Sequence, residues 1–270
     1  MHRLVFLISA LSLTASILTA DELSKTRLER EGAIAYNKGS EAFSAGRFAE
    51  SIPFLLAADS LIGESERVDR TKLRFTIGLA YLKSEQPAEA LELFEWVAEQ
   101  DSTYPYIHLQ LATSAGKAGN NAKALEYYQA SLAGAPGSQK PAILVHIANL
   151  LEKGKEWNKA LNAYSRAIIL NSLPEYHFRR GLLYNRLAEP MDHAGDENFD
   201  FEKAINSQAL TEEALIKAID LRQKALADFR LAAKQSELAE VAAKMIERTE
   251  ILIKNNRTVI SEIHYLRENK

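Results

Sequence analysis

The chain has 270 residues, a net charge of −3 and no cysteine. Disulfides, thiolate chemistry, Cys-ligated zinc and lipid attachment through an N-terminal cysteine are therefore excluded, and the broad positive field that nucleic acid requires is missing, so nucleic acid is not expected as a partner. Only 12 Gly and 7 Pro in a chain that is 47% hydrophobic favour helices around a real core over turn-rich sheet.

The first element is the uncharged run from Leu4 to Ala20, LVFLISALSLTASILTA, which follows Arg3, ends in small residues and gives way to Asp21-Glu22. This pattern reads as a signal peptide, residues 1–20, with cleavage after Ala20. If retained, the same segment would be an anchor at the short end of what spans a bilayer.

Beyond residue 30 the chain repeats itself, and a single frame aligns residues 38–58, 77–98, 111–132 and 147–168. In that frame Gly39, Gly78, Ala112 and Ala148 share one position, and twelve residues later Ser51, Ala90, Ala124 and Ala160 share another. Small side chains at such places let two antiparallel helices approach closely. Four residues further on stand Leu55, Phe94, Tyr128 and Tyr164, and after three more Ala58, Val97, Ser131 and Ala167, which puts them on one helical face. Turn signals separate the two helices of each copy at Ala45-Gly46, Ser84-Glu85-Gln86-Pro87, Ala118-Gly119-Asn120 and Lys153-Gly154-Lys155. Pro87 suits a helix start, and Pro53 falls early inside a helix, where it favours a bend.

A fifth copy is split by about 32 extra residues: Gly181 and Tyr184 match a first helix, while Ala225, Phe229 and Ala232 match a second. The insertion, near 189–218, opens with the polar EPMDHAGDENFD, which reads as a solvated acidic loop. From about Thr211 helical spacing returns, extending the second helix at its N-terminal end. Residues 236–270 carry a helical apolar stripe with a break expected at Asn255-Asn256, and read as capping helices over the last repeat's apolar face.

These motifs resemble the tetratricopeptide repeat (TPR), whose signature pairs Leu-Gly and Tyr in a first helix with Ala, an aromatic and a closing Pro in the second. Ile77-Gly78, Tyr81, Ala90 and Phe94 match it, and Pro136 stands at the closing position. Lys38 and Arg180 depart from it, replacing the apolar residue before glycine. The resemblance covers roughly residues 32–235, as repeats near 32–65, 71–104, 105–138, 141–173 and 174–235. It implies an all-α fold: an α-solenoid of about five helix-turn-helix repeats forming a right-handed superhelix, with a C-terminal capping helix.

The resemblance also implies a function, the holding of a partner protein or peptide in a concave groove lined by the first helices. Carried over residue by residue, the groove would present Tyr36 and Phe43 in the first repeat, and Lys72, Phe75, Leu79, Leu82 and Lys83 in the second. The third would add Tyr106, Leu109 and Lys117, the fourth Val145, Asn149 and Lys153, and the fifth Phe178, Leu182, Asn185 and Arg186. Aromatic anchors interleaved with basic residues suit a segment with apolar side chains and some negative charge. The Lys and Asn clamp of chaperone-tail binders is not matched, because Tyr36 and Ser40 stand in its first two places.

An enzyme would need convergent acid, base or nucleophile residues. The histidines do not converge along the chain: His108 and His177 take equivalent packing positions, His146 precedes Ile147-Ala148, and His264 lies near the tail. Asp192, His193, Asp196, Glu197, Asp200 and Glu202 form a dense stretch whose oxygens offer a divalent-cation site as a distant alternative, yet the spacing of a calcium loop is absent and a solvated acidic loop is the expectation. No catalytic residue, metal or cofactor is expected. The expectation is an exported TPR scaffold in a bacterial periplasm, secreted or inner-membrane anchored as alternatives, with a protein or peptide partner, membrane contact only through an uncleaved N-terminal segment, and oligomerisation left open.

Overall fold

Alanine and leucine, spaced to give each helix one apolar stripe, make helix the only regular secondary structure among the described residues. The structure is a computed structural model that describes residues 20–62, 69–194, 196, 198–207 and 209–269. The signal segment apart from Ala20, and Glu197 of the acidic stretch, lie outside the described residues. Among those described, helices follow in the order α1 (Ala20–Ser44), α2 (Phe48–Ile62), α3 (Arg70–Lys83), α4 (Pro87–Gln100), α5 (Ile107–Lys117) and α6 (Asn121–Gly134). Then come α7 (Lys140–Lys153), α8 (Trp157–Leu170), α9 (Pro174–Asp192), α10 (Phe201–Asn206), α11 (Glu212–Ala232) and α12 (Ser236–Glu268). The chain forms two compact units, divided after Ala124 within α6.

In the first unit α1 pairs with α2 and α3 with α4, and the pairs stack through α2 on α3 and α4 on α5. The close approach rests on the small residues of the repeat. A Cβ added to Gly39 would lie 2.6 Å from Leu55 Cγ, and one added to Gly78 would lie 2.7 Å from Phe94 Cε1. Leu55, Ala58, Ala90, Phe94 and Val97 are fully buried, each large one contributing about 1.5–3 kcal/mol of burial. Asp69 caps α3 by accepting from the Lys72 amide at 3.0 Å, and Pro87 opens α4. Pro53 sits inside α2 without ending it.

The second unit pairs α7 with α8 and α9 with α11, and lays α12 along α11. Gly181 repeats the close approach, since a Cβ added there would lie 2.8 Å from Phe229 Cε1. Its turn, however, departs from the others. Gly46, Glu85, Gly119 and Lys155 each stand seven residues after the packed small residue, and all have left-handed backbone (φ 76°, 58°, 85° and 60°). In the fourth copy the strained residue is Lys155, and Gly154 keeps φ −78°. The fifth copy has Ala188 at this place, helical and buried, so α9 runs on through Pro190 to Asp192 before His193 turns left-handed at φ 51°.

Three expectations about the C-terminal third are thereby corrected. The insertion does not open as a loop at Glu189-Pro190: α9 continues, Pro190 lies on its exposed side, and α10 forms within the remainder. Thr211 then caps α11, accepting from the Ala214 amide at 3.2 Å, and the second helix is indeed extended at its N-terminal end. Asn255-Asn256 does not break the cap, since α12 is one helix of 33 residues. Nor is the acidic stretch wholly solvated. Asp192 is buried, bonded to Arg222 Nε and Nη2 at 2.8 Å each and to Asn256 Nδ2 at 2.8 Å. Beyond it, Phe199, Ala204, Ile205 and Leu210 pack with Leu215 of α11 against Val259, Ile260 and Ile263, which seats the far half of α12.

Candidate docking face

On α3, Leu73, Ile77 and Ala80 are buried between helices, while Lys72, Phe75, Leu79 and Lys83 form the adjoining stripe. Phe75 and Leu79 are half-buried and Lys72 and Lys83 exposed, with no acidic partner among the described residues. Phe75 is braced by two rings, Phe94 at 5.3 Å and Tyr104 at 4.8 Å, which fixes it as a rigid apolar surface. Leu109 of α5 is also half-buried, and Tyr106 just before it is 56% exposed on left-handed backbone (φ 64°). Lys117 is paired with Glu85 at 2.8 Å. Tyr36 packs at the edge of the Leu55, Ala58, Leu73, Ile77 core, and Phe43 meets Phe48 edge-on at 5.2 Å, closing the α1–α2 turn. Leu82 is buried and offers no surface.

In the second unit the expected residues divide differently. Lys153 and Arg186 are exposed, the latter over the Trp157 ring at 5.7 Å. Asn149 turns its carbonyl to the Tyr164 hydroxyl at 2.6 Å, a phenol that burial, and then the neighbouring Glu152 carboxylate, push well above the usual tyrosine range. Val145 is buried. Phe178 packs on Phe229 at 5.6 Å. Asn185 is corrected outright: it is 7% exposed and donates to Thr249 Oγ1 of α12 at 2.8 Å. The cap occupies that place.

A convergence that the chain order hides involves the loop before α9. Ser172 Oγ lies 2.8 Å from His177 Nε2, and His177 Nδ1 lies 2.7 Å from Asp228 Oδ1. The expectation that no histidine converges with such partners is thus corrected. Asp228 also accepts from Arg180 Nε at 2.8 Å and Nη2 at 2.9 Å, and Arg180 donates to Ser165 at 3.0 Å. Asp228 is thus shared between an imidazole and a guanidinium, and the group ties α8, α9 and α11 together. Among the described residues no group of three or more His, Asp or Glu is placed to hold a metal ion.

Antiparallel helix pairs, joined through left-handed turns and drawn close at Gly or Ala opposite a large apolar residue, define an all-α TPR-type helical-hairpin fold of the α-solenoid class. No family model matches the chain, and no curated protein matches it in sequence. Among solved structures it is similar to YrrB, described as a TPR protein with an unusual peptide-binding site, at 16% identity over 82% of this chain and 98% of that one, with a TM-score of 0.52. It is similar also to a MamA protein, at 16% identity over 76% and 94% of the two chains with a TM-score of 0.52. MamA residues 41 to the end from Desulfovibrio magneticus RS-1 match at 14% identity over 72% and 96%, with a TM-score of 0.51. At these identities the likeness is one of fold.

Proposed function

We propose that this chain is a protein-binding scaffold exported to the cell envelope, which holds a segment of a partner in envelope assembly, secretion or a membrane complex. The observation that carries the reading is the α3 stripe: a braced Phe75 and a half-buried Leu79 between two exposed lysines that nothing in the described chain neutralises. Such a surface favours an apolar anchor flanked by acidic residues. The peptide-binding site described for YrrB supports a peptide or protein as the ligand class. Export rests on the uncharged run Leu4–Ala20.

The double variant K72E/K83E should weaken capture of partners from an envelope extract about tenfold while leaving the thermal midpoint in place, because both side chains are exposed. Unchanged capture would remove this stripe from the interface. The intact mass of the protein recovered from cells tests the other half. Loss of the first 20 residues supports export with cleavage, and a full-length chain in the membrane fraction indicates a tethered subunit instead.

A further inference from the structure

A cavity of about 310 Å³ opens between α7, α9, α11 and α12 of the second unit. Its wall is charged in a balanced way. Arg186 and Arg248 are exposed there without an acidic partner among the described residues. Opposing them, Glu189 is exposed and Glu152 spends one oxygen on the Tyr164 hydroxyl, at 2.5 Å. Two free cations and two carboxylates sum to zero, so a simple anion would meet as much repulsion as attraction. Arg222 also lines the wall, but its guanidinium is spent on Asp192, and Leu182, Met245 and Leu252 supply the apolar part.

Asn185 adds a second observation. Its Nδ2 donates to Thr249 Oγ1, and the Thr249 hydroxyl in turn donates to the Met245 carbonyl at 2.6 Å, which fixes the amide's orientation. The Asn185 carbonyl is then left buried in the wall with no donor among the described residues. Buried acceptors are rarely left unpaired, and this one gains a donor only from something that enters.

We propose that this cavity binds a small zwitterion, a free α-amino acid with an apolar side chain. The carboxylate pairs with Arg186 and Arg248. The ammonium is held between Glu189 and Glu152 and supplies the donor that Asn185 lacks, while the side chain lies on Leu182, Met245 and Leu252. The size suits it, as small-molecule sites begin at roughly 300 Å³. This inference stands apart from the docking stripe of the first unit.

Calorimetry on the purified full chain tests it, with leucine, methionine and phenylalanine as probes, alongside isopentylamine, which lacks the carboxylate, and isocaproate, which lacks the amine. At least one amino acid should bind saturably at about 1 mM or tighter, with both truncated analogues at least about tenfold weaker. R186A and R248A, each at an exposed position, should keep the thermal midpoint and weaken binding about tenfold. Three results would each overturn the proposal: no heat from any amino acid, isocaproate binding as well as leucine, or full affinity in both arginine variants.

Discussion

Gly78 and Gly116 look alike in the sequence, and their surroundings give opposite signs to the same substitution. Alanine in place of a helical glycine gains about 1 kcal/mol of propensity. At Gly78 the new Cβ would fall 2.7 Å from Phe94, whose ring is fully buried and backed by Phe75, so the overpacking cost of about 1–3 kcal/mol dominates. At Gly116 the nearest atom is Ala124 Cβ at 3.6 Å, an ordinary contact. Urea unfolding should therefore show G78A destabilised by up to about 2 kcal/mol and G116A stabilised by about 0.5–1 kcal/mol. The repeat frame was legible because it is carried by residue size at fixed spacing. The sign at each glycine was not, because it depends on how much room the facing side chain has.

Asp59 is a second residue whose neighbours decide its behaviour. Burial works to raise its carboxyl pKa, yet hydrogen bonds and charge from Arg74 and Arg70 outweigh burial and hold it below the usual carboxylate range. A group depressed on folding stabilises fully above its unfolded value, near pH 4, and loses that contribution as pH falls through the folded value. D59N should cost about 1–3 kcal/mol at pH 7. In denaturant titrations at a series of pH values, the gap between variant and wild type should close progressively below about pH 4. A gap that stays constant down to pH 2 would show that the charge is not what matters.

At the scale of the element, the insertion and the cap explain each other. Asn has poor helix propensity, a cost of about 0.7 kcal/mol, but a hydrogen bond to a charged group returns about 1.5–3 kcal/mol, which is why α12 runs unbroken through Asn256. The signal was hidden by distance. Asp192 meets Arg222 across 30 residues and Asn256 across 64, while its sequence neighbours suggest only a polar loop. R222M leaves a buried carboxylate unpaired and should destabilise the second unit by about 3–5 kcal/mol, whereas D192N/R222M should recover part of the loss. Trp157 serves as the reporter in a W96F background, since the chain has two tryptophans and each unit holds one.

Across the whole molecule, what the sequence made legible was local: paired helices, their small contact residues and a terminal cap. The α3 residues came from the repeat resemblance, and spacings of three and four keep Lys72, Phe75, Leu79 and Lys83 on one side of that helix. Asn185, by contrast, followed the same spacing and was taken by α12, and the Ser172, His177 and Asp228 group joins residues 51 apart that no spacing rule relates. Deleting residues 236–270 should uncover α11, strip Val259, Ile260 and Ile263 from their cluster and abolish cooperative unfolding reported by Trp157. The Trp96 transition of the first unit should survive that deletion.

The clasp between α9 and α12 also sets an order of events during synthesis. Helices of the first unit pack on their neighbours in the chain, so each contact closes a short loop soon after its residues exist. Asn185 and Asp192 wait for Thr249 and Asn256, each 64 residues downstream, and closing so long a loop costs entropy before any contact repays it. The second unit therefore matures last and slowest, and until the 33 residues of α12 are complete, Asp192 has one of its partners missing and the apolar face of α11 stands open to any chain that reaches it first.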